Sequence, residues 1–418
     1  KVVVLQPLDL AAVKKQLRDA YIPEKKSSIA IALAHSYAFP DHEVQIAQIA
    51  KEIGYKHISI SSQLTSSVKL LSRAHTACAD AYLTPILRDY VSNFLLGFDE
   101  QLKQRLDIKF MQSDGGLVDA QGFSGIGALL SGPAGGYLGY TETAVVVDPE
   151  HSAVIPQKEQ MLKLAHKCVA TNSPIVLEST PPLEQVIGTN VPALAIDIGG
   201  TSSDISVSWG QGKAKDMIFQ NIIAGVQVVA PSLNISTLAT GGGSILHFDE
   251  HNGVLSVGPQ SAGSYPGPAC YAQTPDAPFL AITDANCIIG KLQPDYFPSI
   301  FGPNQDEKLN KRIADEKFEA MVKQVNNWRI SNSNQQAEDI ELITKEELAL
   351  GFLSLAYEQI ARGARALTES RGLDSREFTL ALFGGTGGQL APIADNLGIT
   401  TIHIHSLSSI LSAYGIHR

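Results

Sequence analysis

The chain has 418 residues, 44% apolar and 18% charged, enough at about 150 residues per domain for two or three domains or two large lobes with sizeable cores. This composition excludes collagen-like, disordered and disulfide-scaffold chains. The 42 acidic and 32 basic side chains leave a net charge of −10, and no Lys/Arg run is long enough to track phosphates, so nucleic acid is not an expected partner. In chain order, Val2 to Leu5 reads as a strand and Asp9 as the cap of a following helix. There is no initiator Met and the chain enters in mid-strand, as expected where an upstream domain has been removed. SSIAIALAHSY is a near-continuous apolar run of the kind buried in a sheet. Pro40-Asp41 opens a helix with Val44, Ala47, Ala50 and Ile53 on one face, ended by Gly54, and HISIS (57–61) follows as a strand. This βαβ rhythm predicts parallel sheet covered by helices.

Residues 146–192 carry one predicted helix, 157–168, between proline-rich extended stretches, and read as a connecting insertion. The polar run QVNNWRISNSNQQAED (324–339) predicts a surface loop. The best-specified helix spans 345–371. Thr344 and Glu347 form a capping box, with Ile343 and Leu348 at the staple positions. Ala349, Phe352, Leu353, Ala356, Ile360, Gly363, Ala364 and Leu367 share one face, and Gly372 supplies the stop.

Three glycine loops at strand ends carry the chemistry. In ALAIDIGGTSSDISVS (193–208) a strand ends in Asp197, Gly199-Gly200 turn the chain, Thr201 and Ser202 offer hydroxyls, and Asp204 begins a second strand. Glycine lets backbone amides approach an anion unobstructed, and the Asp197 carboxylate suits holding a metal-bound water or orienting an attacking hydroxyl. A plain tight hairpin is the structural alternative. The second loop, Gly384-Gly385-Thr386-Gly387-Gly388, runs from a strand into a helix predicted near Gln389, a junction that favours anions; it has neither Walker A nor GxGxxG spacing, and close packing is equally compatible with it. Gly241-Gly242-Gly243 is the third.

These residues resemble a known family. DIGGTSSDIS, GGGSI, SVGPQSAGSYPGPACY, ITDANCIIGKL and FTLALFGGTGGQLA, preceded by HSYAFPDHE, ACADAYLTP, FMQSDGGLV and LSGPAGG, are similar to ordered signatures of the hydantoinase A/oxoprolinase family over nearly all the chain outside 146–192. The resemblance implies an α/β protein of actin/Hsp70/sugar-kinase (ribonuclease H-like) architecture, with a first lobe at 1–145, the insertion at 146–192 and a second ATPase lobe at 193–418. It further implies ATP and Mg2+ as cofactors and opening of a cyclic amide such as 5-oxoproline through a phosphorylated intermediate. Matched by motif, Asp197 and Asp204 are the catalytic candidates. Gly199, Gly200, Thr201 and Ser202 form the phosphate loop, with Gly241, Gly242 and Gly243 beside it, and Gly384, Gly385, Thr386, Gly387 and Gly388 form the adenosine-side loop. Asp114, Gly115, Gly116, Gly135 and Gly136 are substrate-cleft candidates. Asp284 is a buried acid or a helix cap, and no residues are assigned as metal ligands.

The family's first phosphate loop and its hydantoinase B-like half are not in this sequence. The expected partners are therefore those regions, in the same chain or a partner chain, together with a small cyclic amide and a second copy of the protein; this chain alone is expected to be inactive. Gln220-Asn221-Ile222-Ile223 stands where members show an acidic Glu-Thr-Thr stretch. A related ATP-dependent carboxylase, a small-molecule kinase and a degenerate nucleotide-binding module are the alternatives.

Other groups are set aside. Cys78, Cys168, Cys270 and Cys287 show no CxxC pair and read as reduced, mostly packed thiols of a cytoplasmic protein; Cys270 has no nearby His in sequence to activate it. No apolar run reaches the roughly 18 residues of a membrane span. His35, His42 and His75 do not make a metal trio, because Asp41 is placed as a helix cap and His42 and Glu43 in an exposed first turn. His403 and His405 alternate with Ile402 and Ile404, predicting a strand with its histidines on a wet face. Glu369, Arg371, Asp374 and Arg376 read as a solvated helix terminus.

Overall fold

The computed structural model describes residues 2–23, 28–99, 101, 105–143, 152–154, 192–210, 215–223, 225–333 and 340–417. The chain forms two compact units, 1–135 with 215–234, and 136–214 with 235–418. Apart from the backbone of 152–154 and Pro192, the 146–192 insertion, with its predicted helix and Cys168, lies outside the described residues.

In the first unit, strands Ser28–Ile31 and His57–Ile60 pair in parallel, joined through helix Asp41–Ile53, which stops at left-handed Gly54 (φ 115°). This is the βαβ unit that the apolar rhythm predicts. Helix Leu10–Ala20 starts at Asp9, whose carboxylate accepts from the Ala12 amide at 3.0 Å. Residues 2–5, expected as a strand, are exposed and join no strand among the described residues. Glu43 is fully buried, not in an exposed turn. It accepts from Leu33 N, Ser61 Oγ and Ser62 N at 2.7, 2.8 and 3.0 Å, and these donors hold its carboxyl below the ordinary range against the desolvation that raises it. Buried Arg73, on helix Leu70–Leu96, donates to the carbonyls of Leu33, Ser67 and Val68.

The second unit is built on a mixed sheet of six strands in the order 235–238, 203–208, 193–198, 379–383, 402–405, 152–154. The first three form an antiparallel meander, 379–383 and 402–405 run parallel to 193–198, and 152–154 closes the edge antiparallel. Strand Thr379–Phe383 is buried at all five positions. Such continuous burial is what a central strand covered on both faces requires. Helix Lys345–Glu369 packs on the sheet with Phe352, Leu353, Ala356 and Ile360 fully buried. Its capping box forms as read: Glu347 N donates to Thr344 Oγ1 and Thr344 N to Glu347 Oε2. A Cβ on Gly363 would meet the end of the Leu238 side chain, so the helix packs closely on that strand here.

Two expectations fail in this unit. The helix Lys311–Asn332 runs through most of the segment read as a loop, burying Ala314, Phe318 and Val325 along one side while its polar residues face solvent. His403 and His405 are buried (3% and 6% exposed) and Ile402 and Ile404 are the partly exposed pair. Burial, with the charge of His405 adding to it, pushes His403 down to about 4. Among the described residues no helix is long and apolar enough to cross a membrane.

Candidate active site

Strands Ala193–Ile198 and Ser203–Ser208 form the predicted hairpin, with Asp197 directly opposite Asp204. Strand 379–383 lies beside it in parallel, Phe383 level with Asp197, so the chain leaves two neighbouring strand ends at one place. Gly384 follows there with φ 87°, and a Cβ on it would strike the Asp197 carboxylate and the Ile198 backbone. The glycine is required by both conformation and approach.

The three glycine loops converge. Gly242 N donates to Gly199 O at 3.0 Å and Gly243 N to Gly200 O at 2.6 Å. Thr386 donates to Ile198 O through both its amide and its hydroxyl, at 3.1 and 3.0 Å, with Gly199 O also 3.3 Å from the hydroxyl. Thr283 Oγ1 ties Gly242 O at 2.8 Å. A Cβ on Gly241 would lie 2.7 Å from Ser202 N, so this loop too is glycine by necessity. The carbonyls of residues 198–200 are therefore all engaged by neighbours. The amides of Gly200 and Thr201 donate to nothing among the described residues. Gly200 has neither a positive φ nor any atom within 4 Å of a Cβ built on it.

Behind this tip lie the two carboxylates. Burial, then the charge of Asp204, pushes Asp197 up to about 6, against a hydrogen bond from Ser412 Oγ to Asp197 Oδ2 at 3.4 Å. Asp204 is raised by burial and accepts from Thr237 Oγ1 at 2.5 Å. Ser412, on the terminal helix Leu411–His417, was not singled out by sequence; it comes from 215 positions away and no local pattern marks it. Helix Ser131–Thr143 contains Gly135 and Gly136, both buried; a Cβ on Gly136 would sit 2.7 Å from the Phe383 ring and 3.1 Å from Ser412 Oγ.

The loop after Phe383 differs from expectation. It makes one tight turn, Gly387–Leu390, and only a five-residue helix, Ile393–Leu397, follows Pro392. The helix that follows has only five residues, so it contributes little dipole to the loop.

The other candidates are occupied within the fold. Asp114 accepts from Gly116 N at 2.8 Å, and Gly115 takes φ 75°, which together shape the turn between strands Lys109–Met111 and Leu117–Asp119. Asp284 is fully buried and accepts from Ala269, Cys270 and Ala281 amides at 3.0, 2.7 and 2.8 Å, so it caps its helix and holds the preceding corner; burial nevertheless pushes it up to about 6. Cys270 is buried beside it with its thiol raised well above the usual value, an inert position for a nucleophile. Cys287 is also buried and Cys78 exposed. Gln227 Nε2 donates to Gln220 Oε1 at 3.0 Å. Among the described residues no group of three or more His, Cys, Asp or Glu could hold a metal.

Similarity to known proteins follows the same residues. The chain is 41% identical to the 5-oxoprolinases of Dictyostelium discoideum and Saccharomyces cerevisiae, over 97% and 99% of its length but only 28% of theirs. It is 27% identical to caprolactamase subunit alpha of Pseudomonas jessenii, over 98% of this chain and 50% of that one. In fold it resembles nucleotide-free acetone carboxylase, with TM-score 0.68 and 20% identity over 98% of this chain and 49% of that one. The crystal structure of ATP-dependent caprolactamase from Pseudomonas jessenii gives TM-score 0.61 and 23% identity over 100% and 52%. A hydantoinase/oxoprolinase N-terminal region model matches residues 1–54. The hydantoinase/oxoprolinase model itself matches 73–155 and 184–417, taking in all three glycine loops, both hairpin carboxylates and Ser412, and the chain belongs to that family.

Proposed function

We infer that this chain is the ATP-handling part of an enzyme that opens a cyclic amide such as 5-oxoproline. The hairpin tip carries the reading. Its carbonyls are spent on neighbouring loops, its Gly200 and Thr201 amides are unspent among the described residues, and no described residue crowds the space over Gly200 or requires glycine there. Unspent amides in a loop backed by two carboxylates fit a phosphate chain and a hard divalent cation. The sheet order supports a ribonuclease H-like lobe of an actin-like ATPase, in which a three-stranded meander is followed by two strands parallel to its first. Because the chain spans 28% of its 5-oxoprolinase relatives, the activity is assigned to the full-length protein and not to this segment alone.

In this reading Asp197 and Asp204 would hold Mg2+, a hard cation suited to carboxylate oxygens. The chemistry that ATP supplies when bound is transfer of its terminal phosphoryl group to the amide, so that water opens a phosphorylated intermediate. The chain's own residues do the positioning. Gly200 and Thr201 amides, with the Thr201 and Ser202 hydroxyls, orient the phosphates and compensate their charge. Asp197 accepts a proton in this reading. Ser412 holds one of its oxygens, and Gly384 lets the neighbouring strand close against the other.

The test is conversion of 5-oxoproline to glutamate by the full-length protein with ATP and Mg2+. Gly200→Val fills the clear space and is expected to abolish turnover with the melting temperature within about 3 °C. Retained turnover in that variant sinks the phosphate-loop reading. A carboxylated or phosphorylated final product in place of the ring-opened acid would replace the hydrolase with a carboxylase or kinase.

A further inference from the structure

Lys291 stands three residues beyond helix Ile282–Ile288 and is exposed. Its ammonium donates to Tyr357 Oη at 2.8 Å and to the Gln389 carbonyl at 3.0 Å, with the Tyr357 ring centroid 5.2 Å away. An exposed lysine normally keeps its rotamer freedom or gives it up to a carboxylate. This one is pinned by two neutral acceptors and pairs with no carboxylate among the described residues. An ammonium has three protons to donate, so one remains.

The place of this cation matters. Along the loop from 384 to 389, Gly384 abuts Asp197, Thr386 is tied to the hairpin, and Gln389 meets Lys291. The lysine thus marks the end of the loop away from the carboxylates. Cβ atoms built on Gly290, Gly385 and Gly388 meet nothing within 4 Å among the described residues, so these leave bare backbone open next to Lys291 and along the loop. Gln389 Oε1 is buried without a hydrogen-bond partner among the described residues.

We propose that Lys291 is a specificity residue that donates to the nucleoside end of the bound nucleotide, at a base nitrogen or a ribose oxygen, while the phosphates lie over the hairpin. This rests on the nucleotide reading given above. The ammonium is held in place before binding by Tyr357 and Gln389, so little further side-chain order is lost when the ligand arrives.

The experiment uses Lys291→Met in the full-length protein, with steady-state kinetics in ATP and competition by inorganic tripolyphosphate, which has phosphates and no nucleoside. The KM for ATP is expected to rise about tenfold or more, as for loss of a charged hydrogen bond, with kcat within about twofold and tripolyphosphate inhibition unchanged. Tyr357→Phe, which removes one of the two anchors, should raise KM in the same direction by less. Comparing ATP with 2′-deoxy-ATP and with deaza-purine triphosphates identifies the acceptor: the wild type's preference for ATP over the analogue lacking it disappears in Lys291→Met. An unchanged KM for ATP overturns the proposal, as does equal weakening of tripolyphosphate, which would place the lysine on the phosphates. Should Gly200→Val leave ATP use intact, the nucleotide reading fails first; should that variant lose ATP use while Lys291→Met keeps its KM, only the lysine assignment fails.

Discussion

Two corners of the second unit each bury an aspartate, and both carboxyls are pushed up to about 6 by desolvation. At the corner around residues 268–284, Asp284 accepts from three backbone amides. At the hairpin, Asp197 receives one hydroxyl at 3.4 Å and faces a second carboxylate. A perturbed pKa therefore does not separate them, because structural networks and functional sites perturb pKa values alike. Unspent hydrogen-bonding capacity does separate them. The same reasoning applies to the Asp-Gly-Gly turn at 114–116, where carboxylate and positive-φ glycine serve the turn itself, in contrast to Gly200, whose amide donates to nothing among the described residues.

The sharpest way to break this contrast is the same substitution at both aspartates. Asp197→Asn keeps shape and removes the proton acceptor, so turnover is expected to fall by roughly 100-fold or more with nucleotide affinity little changed, as calorimetry and steady-state rates would show. A near wild-type rate would reduce Asp197 to a residue that shapes the hairpin. Asp284→Asn turns an NH2 toward one of three amide donors and is expected to cost about 1–3 kcal/mol of stability in denaturant unfolding. If it leaves stability intact, the capping role fails.

Both carboxyls are raised alike, so it is the sign of each variant's stability change, set by how many donors its carboxylate holds, that separates them further. Asp197 has a folded-state pKa above its unfolded value of 3.8, so the folded protein holds a proton that the unfolded chain has lost. Its contribution is fully present below about pH 4 and is lost as pH rises through about 6. In Mg2+-free protein at pH 7, Asp197→Asn is thus expected to be more stable than wild type by on the order of 1 kcal/mol, the opposite sign from Asp284→Asn. A destabilised Asp197→Asn would mean that its carboxylate is held by the fold. The smallest effect is expected for Asp114→Asn, which keeps the oxygen that accepts from Gly116 and removes the charge. Its KM for the cyclic amide should stay within about threefold of wild type, and a larger rise would return Asp114 to the substrate.

Much of the scaffold was legible because its signals are short-range. The Thr344–Glu347 capping box, the Asp9 and Gly54 helix ends and the hairpin at 193–208 each rest on residues within a few positions of one another, and all formed as read. The three glycine loops could be found one at a time from their glycines at strand ends. Their meeting could not, since hydrogen bonds such as Thr386 to Ile198 span 188 residues. Faces were the other blind spot. Alternation in 402–405 establishes a strand with two unlike sides, but which side is covered depends on what packs there, and the histidines went inside. In 324–332 the polar composition suggested a loop, yet three buried apolar residues on one side were enough to keep the helix Lys311–Asn332 intact. Glu43 and Ser412 acquired their partners by the same route. Local sequence thus determined the capped helix ends, the hairpin and the glycine-rich turns, because propensity and capping act within a turn or two. Only the tertiary structure decided which carboxylates and amides were consumed and which were left to meet a ligand, because satisfying a buried polar group depends on donors and acceptors that arrive from distant parts of the chain.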